Sequence, residues 1–160
     1  MNIDRILEEF NNAEADYILI GGMNFLLRHV PELTFDIDLW VEDSGENLIR
    51  VNRALRALGA EWGRTDAEWK PVPENAEWLR AQSVFCLTTQ WGAVDIFREV
   101  RGLENRYAEC RAEAIPARTA GGVPFRGLSD AHMLDSQLAL EEIYRKAGRI
   151  AVLKKALGRE

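Results

Sequence analysis

Asp36 and Asp38 lie one residue apart in the stretch Thr34-Phe35-Asp36-Ile37-Asp38-Leu39, among apolar and β-branched residues. In an extended chain, residues i and i+2 leave the same face about 6.6–7 Å apart. Two carboxylates at that spacing can flank a pair of divalent cations, and Mg²⁺ takes hard oxygen ligands while keeping some of its waters. A third acid, Asp95, sits between Val94 and Ile96 in another apolar stretch. Unpaired charges on core strands are costly. Three acids so placed therefore require a cation or a basic partner nearby.

These residues need elements to hold them. Ile3, Ile6, Leu7 and Phe10 recur at helical spacing and predict a helix over 4–15. Tyr17 to Ile20 reads as a buried strand closed at Gly21-Gly22, followed by a short helix from Met23 to His29 that Pro31 stops. Thr34 to Val41 reads as a strand, with Phe35, Ile37, Leu39 and Val41 on one face and Asp36, Asp38 and Trp40 on the other. Ser44 caps a helix that Gly59 ends. The tripeptide Ala-Glu-Trp recurs up to Trp62, Trp69 and Trp78, either as aromatic packing over the sheet or as a loop covering a ligand. Residues 83–89 and 93–97 form a hairpin, 104–113 a helix, and 114–118 with 123–125 a second hairpin around Gly121-Gly122. Two helices close the chain, from Ser129 to about Leu140 and from about Glu142 to Leu157, with Ile143, Ile150, Leu153 and Leu157 facing inward. The class is α+β (or α/β): a sheet with helices packed on it.

Composition narrows the function. The 160 residues hold 47% hydrophobic types and 29% charged types, which excludes a disordered or collagen-like chain. The formal charge of −6 argues against a general nucleic-acid coat, which needs a basic face. Cys86 and Cys110 form no CxxC pair, and with His29 and His132 as the only histidines a zinc site is not expected. Both histidines read as surface or packing residues, and Cys86 reads as a small core residue. Free thiols, an acidic N-terminus without an apolar signal region, and no membrane-length apolar run lead to an expectation of a cytoplasmic protein without membrane contact. The last sixteen residues, Arg145 to Glu160, carry six basic residues and one acid. They read either as a cationic wall for triphosphate or RNA, or as a solvated helix face.

Ile20-Gly21-Gly22, Thr34 to Leu39 and Val94-Asp95-Ile96-Phe97 together resemble the nucleotidyltransferase superfamily with the DNA polymerase β palm fold. The resemblance is closest to its AbiEii-like, minimal branch, and the run from Gly122 to Ser129 into a helix resembles that branch too. It spans about residues 15–155. It implies a mixed sheet with flanking helices and a C-terminal helical pair, in one domain over 1–160 (core about 15–127, helices about 129–158). It implies Mg²⁺ or Mn²⁺ on Asp36, Asp38 and Asp95, which would also be the catalytic residues, Asp95 helping to deprotonate the acceptor. Gly21 and Gly22 would admit the phosphates to the backbone, with Asn24, Arg145 and Arg149 as further nucleotide contacts. The reaction implied moves a nucleoside monophosphate from a nucleoside triphosphate to a hydroxyl on a protein, an RNA or a small molecule, with a partner protein possible.

The chain departs from the family pattern at four places. Gly22 stands where Ser is common, Glu32 where Arg is frequent, Gln137 where Lys is frequent, and Gly148 at the closing Asp. Glu32, Gln137 and the missing closing Asp favour an alternative: a weakly active or non-catalytic binding module of the same fold, antitoxin-like or dependent on a partner. A third reading makes Asp36 and Asp38 structural, salt-bridged to Arg145 or Arg149.

Overall fold

Ile6, Leu7 and Phe10 lie one helical turn apart and are fully buried, and they anchor the first helix, α1 (Ile3–Asn12). In this computed structural model, which describes residues 1–160, α1 leads into β1 (Tyr17–Ile20), α2 (Gly21–Arg28), β2 (Asp36–Val41) and α3 (Gly45–Ala57). Two short strands, β3 (Glu61–Trp62) and β4 (Lys70–Pro71), precede the hairpin of β5 (Val84–Thr89) and β6 (Gly92–Phe97). Then come α4 (Tyr107–Glu113), β7 (Ile115–Arg118), β8 (Pro124–Gly127), α5 (Asp130–Leu138) and α6 (Ala147–Ala156).

The strands make one mixed sheet in the order β4-β3-β5-β6-β2-β1-β8-β7. β2 runs parallel to β6 and β1 parallel to β8, and the other pairs are antiparallel. Alternation along the strands sorts the two faces. Leu19, Ile37, Leu39, Phe85, Leu87, Val94 and Ile96 face α1 and α3. Ile18, Ile20 and Trp40 face a second core with Leu103, Cys110, Leu134 and Leu153, under α4, α5 and α6. The expected mixed sheet with flanking helices and a closing helical pair is what the chain forms.

Asn47 ties the sheet to α3. Its side chain accepts from Asp16 N (2.7 Å) and donates to Asp16 O (2.9 Å) and Glu42 O (2.8 Å), joining the residue before β1 to the residue after β2. The residue is almost fully buried, so Asn47→Ala strands several backbone groups, each costing about 1 kcal/mol or more. A loss of about 3 kcal/mol is expected, read as a lower urea midpoint at unchanged slope.

Several expected elements differ. β2 begins at Asp36, and Phe35 is 71% exposed rather than aligned with Ile37. The last helix begins at Ala147 instead of about Glu142, and Ile143 is 81% exposed rather than inward. The cause is the extended backbone at Arg145 and Lys146 (ψ 143° and 95°), where the buried Gln137 side chain accepts from Lys146 N at 2.9 Å. Trp62 and Trp78 stack with each other (5.6 Å between centroids) and meet Phe85 edge-on, over the face opposite the acids. This is the packing alternative for two of the three Ala-Glu-Trp repeats, whereas Trp69 is exposed. No helix is long and apolar enough to cross a membrane.

Candidate active site

Asp38 and Asp95 are paired across the parallel β2–β6 ladder. Ile20 pairs with Asp38 on one side, and Cys86 pairs with Asp95 on the other. Ile20, Asp38, Asp95 and Cys86 therefore form one row across four strands, and Asp36 stands on the same face two residues from Asp38. On this face β2 reads Asp36, Asp38, Trp40. Trp40 is buried edge-on against Tyr107 at 5.1 Å, so it covers the sheet rather than standing free to stack on a base. The α4–α6 core closes over Trp40 and Ile20 and stops short of the acids.

Gly21 follows Ile20 at the corner of the row. Its φ of +70° favours glycine, and a Cβ there would collide with Asp38 Oδ2 and stand 3.1 Å from Asp38 Cγ. A Cβ at Gly22 would stand 3.1 Å from Thr34 Oγ1 and 3.3 Å from Glu32 Oε1. The Gly-Gly turn thus lies directly against both the acidic row and the segment that leads into β2.

The acids strain one another. Burial, then the charges of Asp95 and Asp36, push the Asp38 carboxyl up to about 7. Burial and the Asp36 charge also raise Asp95, while bonds from the Cys86 thiol and the Asp38 carboxyl draw it down. Asp38 therefore keeps its proton up to about neutral pH. Two carboxylates on neighbouring strands, about 5 Å apart, repel by about 3 kcal/mol at an effective dielectric of about 20. The three do not gather as tightly as a ligand trio, whose donor atoms lie within 4.8 Å of one another. Three hard oxygen donors on one face, each repelling the next, are the donor set that suits Mg²⁺ or Mn²⁺. Asp36, Asp38 and Asp95 are each half-buried on this face.

The other expected contacts divide. Arg149 is near enough for its charge to act on Asp38, but its guanidinium is bonded to Glu32 and lies 5.5 Å over the Phe25 ring. Arg145 does not turn inward. It precedes α6, and its guanidinium donates to Leu140 O and Leu138 O at 2.9 Å, capping the end of α5. Asn24 is fully buried, with its amide nitrogen on Leu128 O at 3.0 Å, so it packs α2 against the chain beyond β8 instead of facing a ligand. Arg28 and His29 are engaged by Asp130 at 3.0 and 2.7 Å, and Arg28 also donates to Leu128 O. No ion pair joins Asp36 or Asp38 to an arginine, which removes the salt-bridge reading of the two acids.

Two features escaped the sequence reading. Cys86 is exposed beside Asp95 rather than in the core. Its thiol is raised to about 11 by partial burial and by Asp95, so it stays protonated at neutral pH. The alternation of Phe85 and Leu87 inward was the available signal, masked because Val84 and Cys86 are apolar as well. The structure also gathers Glu109, Cys110 and His132 within 4.8 Å, although no sequence spacing announces such a group. There Glu109 is bonded to Arg106 at 2.6 Å, and His132 Nδ1 lies 3.1 Å from Ser129 Oγ.

No family model matches this chain, and no curated protein matches it. Solved structures do. The chain is similar to the solution structure of the antibiotic-resistance factor ANT(2'')-Ia, with a TM-score of 0.59 and 16% identity, over 98% of this chain and 82% of that one. The crystal structure of ANT(2'')-Ia with adenylyl-2''-tobramycin gives the same score and identity over 98% and 87%. A protein of Thermotoga maritima assigned to the nucleotidyltransferases matches with a TM-score of 0.55 and 15% identity, over 99% and 91%. At these identities the likeness is one of fold.

Proposed function

We propose that this chain, acting as one unit over residues 1–160, transfers a nucleoside monophosphate from a nucleoside triphosphate to a hydroxyl acceptor, with Mg²⁺ or Mn²⁺ bound at Asp36, Asp38 and Asp95. The observation that carries this reading is the register of Asp38 against Asp95 beside the Gly21 turn, with Asp36 on the same face. The nucleotidyltransferase fold of the neighbours supports it. When bound, the divalent ion would neutralise the acids and the developing charge on the phosphates. Asp36 and Asp38 would hold the ion. Asp95, paired with Asp38 on the neighbouring strand, would complete the metal set and take the proton of the acceptor hydroxyl. The acceptor oxygen forms its bond to the α-phosphorus as the bond to pyrophosphate breaks, and pyrophosphate leaves with the electron pair. Gly21 and Gly22 let the backbone approach the phosphates.

Within the superfamily, the Thr-x-Asp-Ile-Asp-Leu signature favours the AbiEii-like branch. An acceptor that is a hydroxylated small molecule has support in the neighbour solved with adenylyl-2''-tobramycin, and a hydroxyl on an RNA or a protein would serve the same chemistry. A weakly active binding module is favoured by one observation: Arg149 and Lys146, the cations next to the Gly-Gly turn, are occupied by Glu32.

The test is pyrophosphate release with each of the four ribonucleoside triphosphates and Mg²⁺ or Mn²⁺, beside an Asp36→Asn/Asp38→Asn protein. Release that vanishes in the double variant is the expected result. Mg-nucleotide stabilisation without release would favour the binding module or a missing acceptor, and the absence of both stabilisation and release would overturn the reading.

A further inference from the structure

The chain between α2 and β2 folds back over the Gly-Gly turn and places Glu32 there. Its carboxylate accepts from Lys146 Nζ at 3.0 Å, from Arg149 Nε at 3.2 Å and from Arg149 Nη2. The partners come from the far end of the chain, at the start of α6. The Arg149 side chain is only 6% exposed and that of Glu32 17%. Burial raises the Glu32 carboxyl, but its bonds to Arg149 and Lys146 outweigh this and hold it below the ordinary range. Glu32 thus stays an anion, facing a planar guanidinium with two donors engaged. That fork accepts a carboxylate or a phosphate with the same geometry.

The position of this anion decides its meaning. A methyl group at Gly22 would touch both Thr34 Oγ1 and Glu32 Oε1, so the carboxylate sits on the turn itself. On its other side, at Gly21, the same turn lies against the Asp38 carboxylate, 3.1 Å from Cγ to the place of a Cβ. The anion, the cations, the turn and the acids are therefore contiguous. The flanking residues Val30, Leu33 and Phe35 are all exposed, so little apolar packing fixes the segment that carries Glu32. Its ion pairs are what tie it down.

We infer that the Glu32 carboxylate stands in for a phosphate group in the polyphosphate subsite, and that a di- or triphosphate binds by displacing it from Arg149 and Lys146. This rests on the nucleotidyltransferase reading for the ligand's identity. Glu32 is then a specificity-determining residue. A phosphate group carries more negative charge than one carboxylate and so can win both cations, and each further phosphoryl group adds charge, so affinity rises from mono- to triphosphate. With Glu32 seated, the two cations and one anion leave a net charge of only +1 to attract ligand; with Glu32 displaced, the full +2 is available.

The experiment measures binding of inorganic tripolyphosphate, and separately of Mg-ATP, by titration calorimetry to the wild-type chain, Glu32→Gln, Glu32→Ala and Arg149→Gln. Tripolyphosphate needs no catalytic ion and so reads the subsite alone. Both Glu32 variants are expected to bind it at least ten-fold more tightly than wild type, with a smaller gain for inorganic phosphate. Arg149→Gln is expected to lose binding. Glu32→Gln keeps the shape of the side chain and an oxygen for Arg149, and Glu32→Ala serves if Gln disturbs the fold. Equal or weaker binding in the folded Glu32 variants would overturn the inference and make Glu32 a structural latch. If they gain tripolyphosphate affinity while no chain binds Mg-ATP or releases pyrophosphate, the subsite stands and the transferase reading falls. If wild type releases pyrophosphate and the variants gain nothing, the reverse holds.

Discussion

Replacing Asp38 by asparagine is expected to make the metal-free protein more stable and to abolish its metal-dependent activity. A carboxyl that normally titrates near 3.8 is raised to about 7 in the fold by burial and by Asp95 and Asp36. Between those values the folded chain holds a proton that the unfolded chain has released. Stability therefore falls as pH rises through this window; the penalty is absent below about pH 4 and complete above about pH 7. One pKa unit corresponds to about 1.4 kcal/mol, so the ceiling is about 4 kcal/mol. The buried amide of asparagine takes back part of this, leaving about 2 kcal/mol, or roughly 4–8 °C in Tm for a chain of this size. Melting curves from pH 4 to 9 with chelator present should show a gain for Asp38→Asn that grows with pH and levels off above neutrality. Pyrophosphate release should drop about 10³-fold or more, equivalent to about 4 kcal/mol of lost transition-state stabilisation. A variant no more stable than wild type at pH 8 would mean that the acids on this row do not strain one another.

Gly21→Ala is expected to damage stability and activity together. The +70° φ at this position costs an L-residue about 1–2 kcal/mol. The added methyl must also push the Asp38 carboxylate off its place beside Asp95. A loss of about 2–3 kcal/mol and at least 10²-fold in turnover is expected, because misplacing a reacting group by about 1 Å has that effect. Gly59→Ala is the matched control. Gly59 has a φ of +63° with nothing within 4 Å of a Cβ, so it should lose only the backbone part, about 1–2 kcal/mol, and keep its activity. Equal effects from the two variants on turnover would show that Gly21 matters only for its backbone.

The chemistry-bearing residues were legible because their spacing is local. Asp36 and Asp38 share a face by the period of a strand, and β1, β5, β6 and the Ser44 and Ser129 caps carry their signals within a few residues. What was not legible depends on residues far apart in the chain. Nothing near Glu32 announces Arg149, 117 positions away, and nothing near Asn24 announces the Leu128 carbonyl. Arg145 and Arg149 look alike at one-turn spacing. Only the break in the helix before Ala147, held by the Gln137 side chain, separates the capping arginine from the buried one. Cys86 was misplaced because its strand is apolar at four successive positions, which erases the alternation that would have turned it outward.

The parallel pairing of β2 with β6 also bears on how the protein reaches its folded state. Asp38 and Asp95 belong to strands that become neighbours only after the intervening α3, β3, β4 and β5 have been laid down. Pairings of such sequence separation must meet their loop-closure entropy before any contact rewards it, so they form late. No peptide ending before β6 contains the complete acidic row, and neither a chain still emerging from the ribosome nor a locally unfolded one can present it. A divalent ion that binds there would recognise the native topology and almost nothing short of it. It would slow unfolding and raise the melting point by mass action, while leaving the rate of the first folding steps untouched.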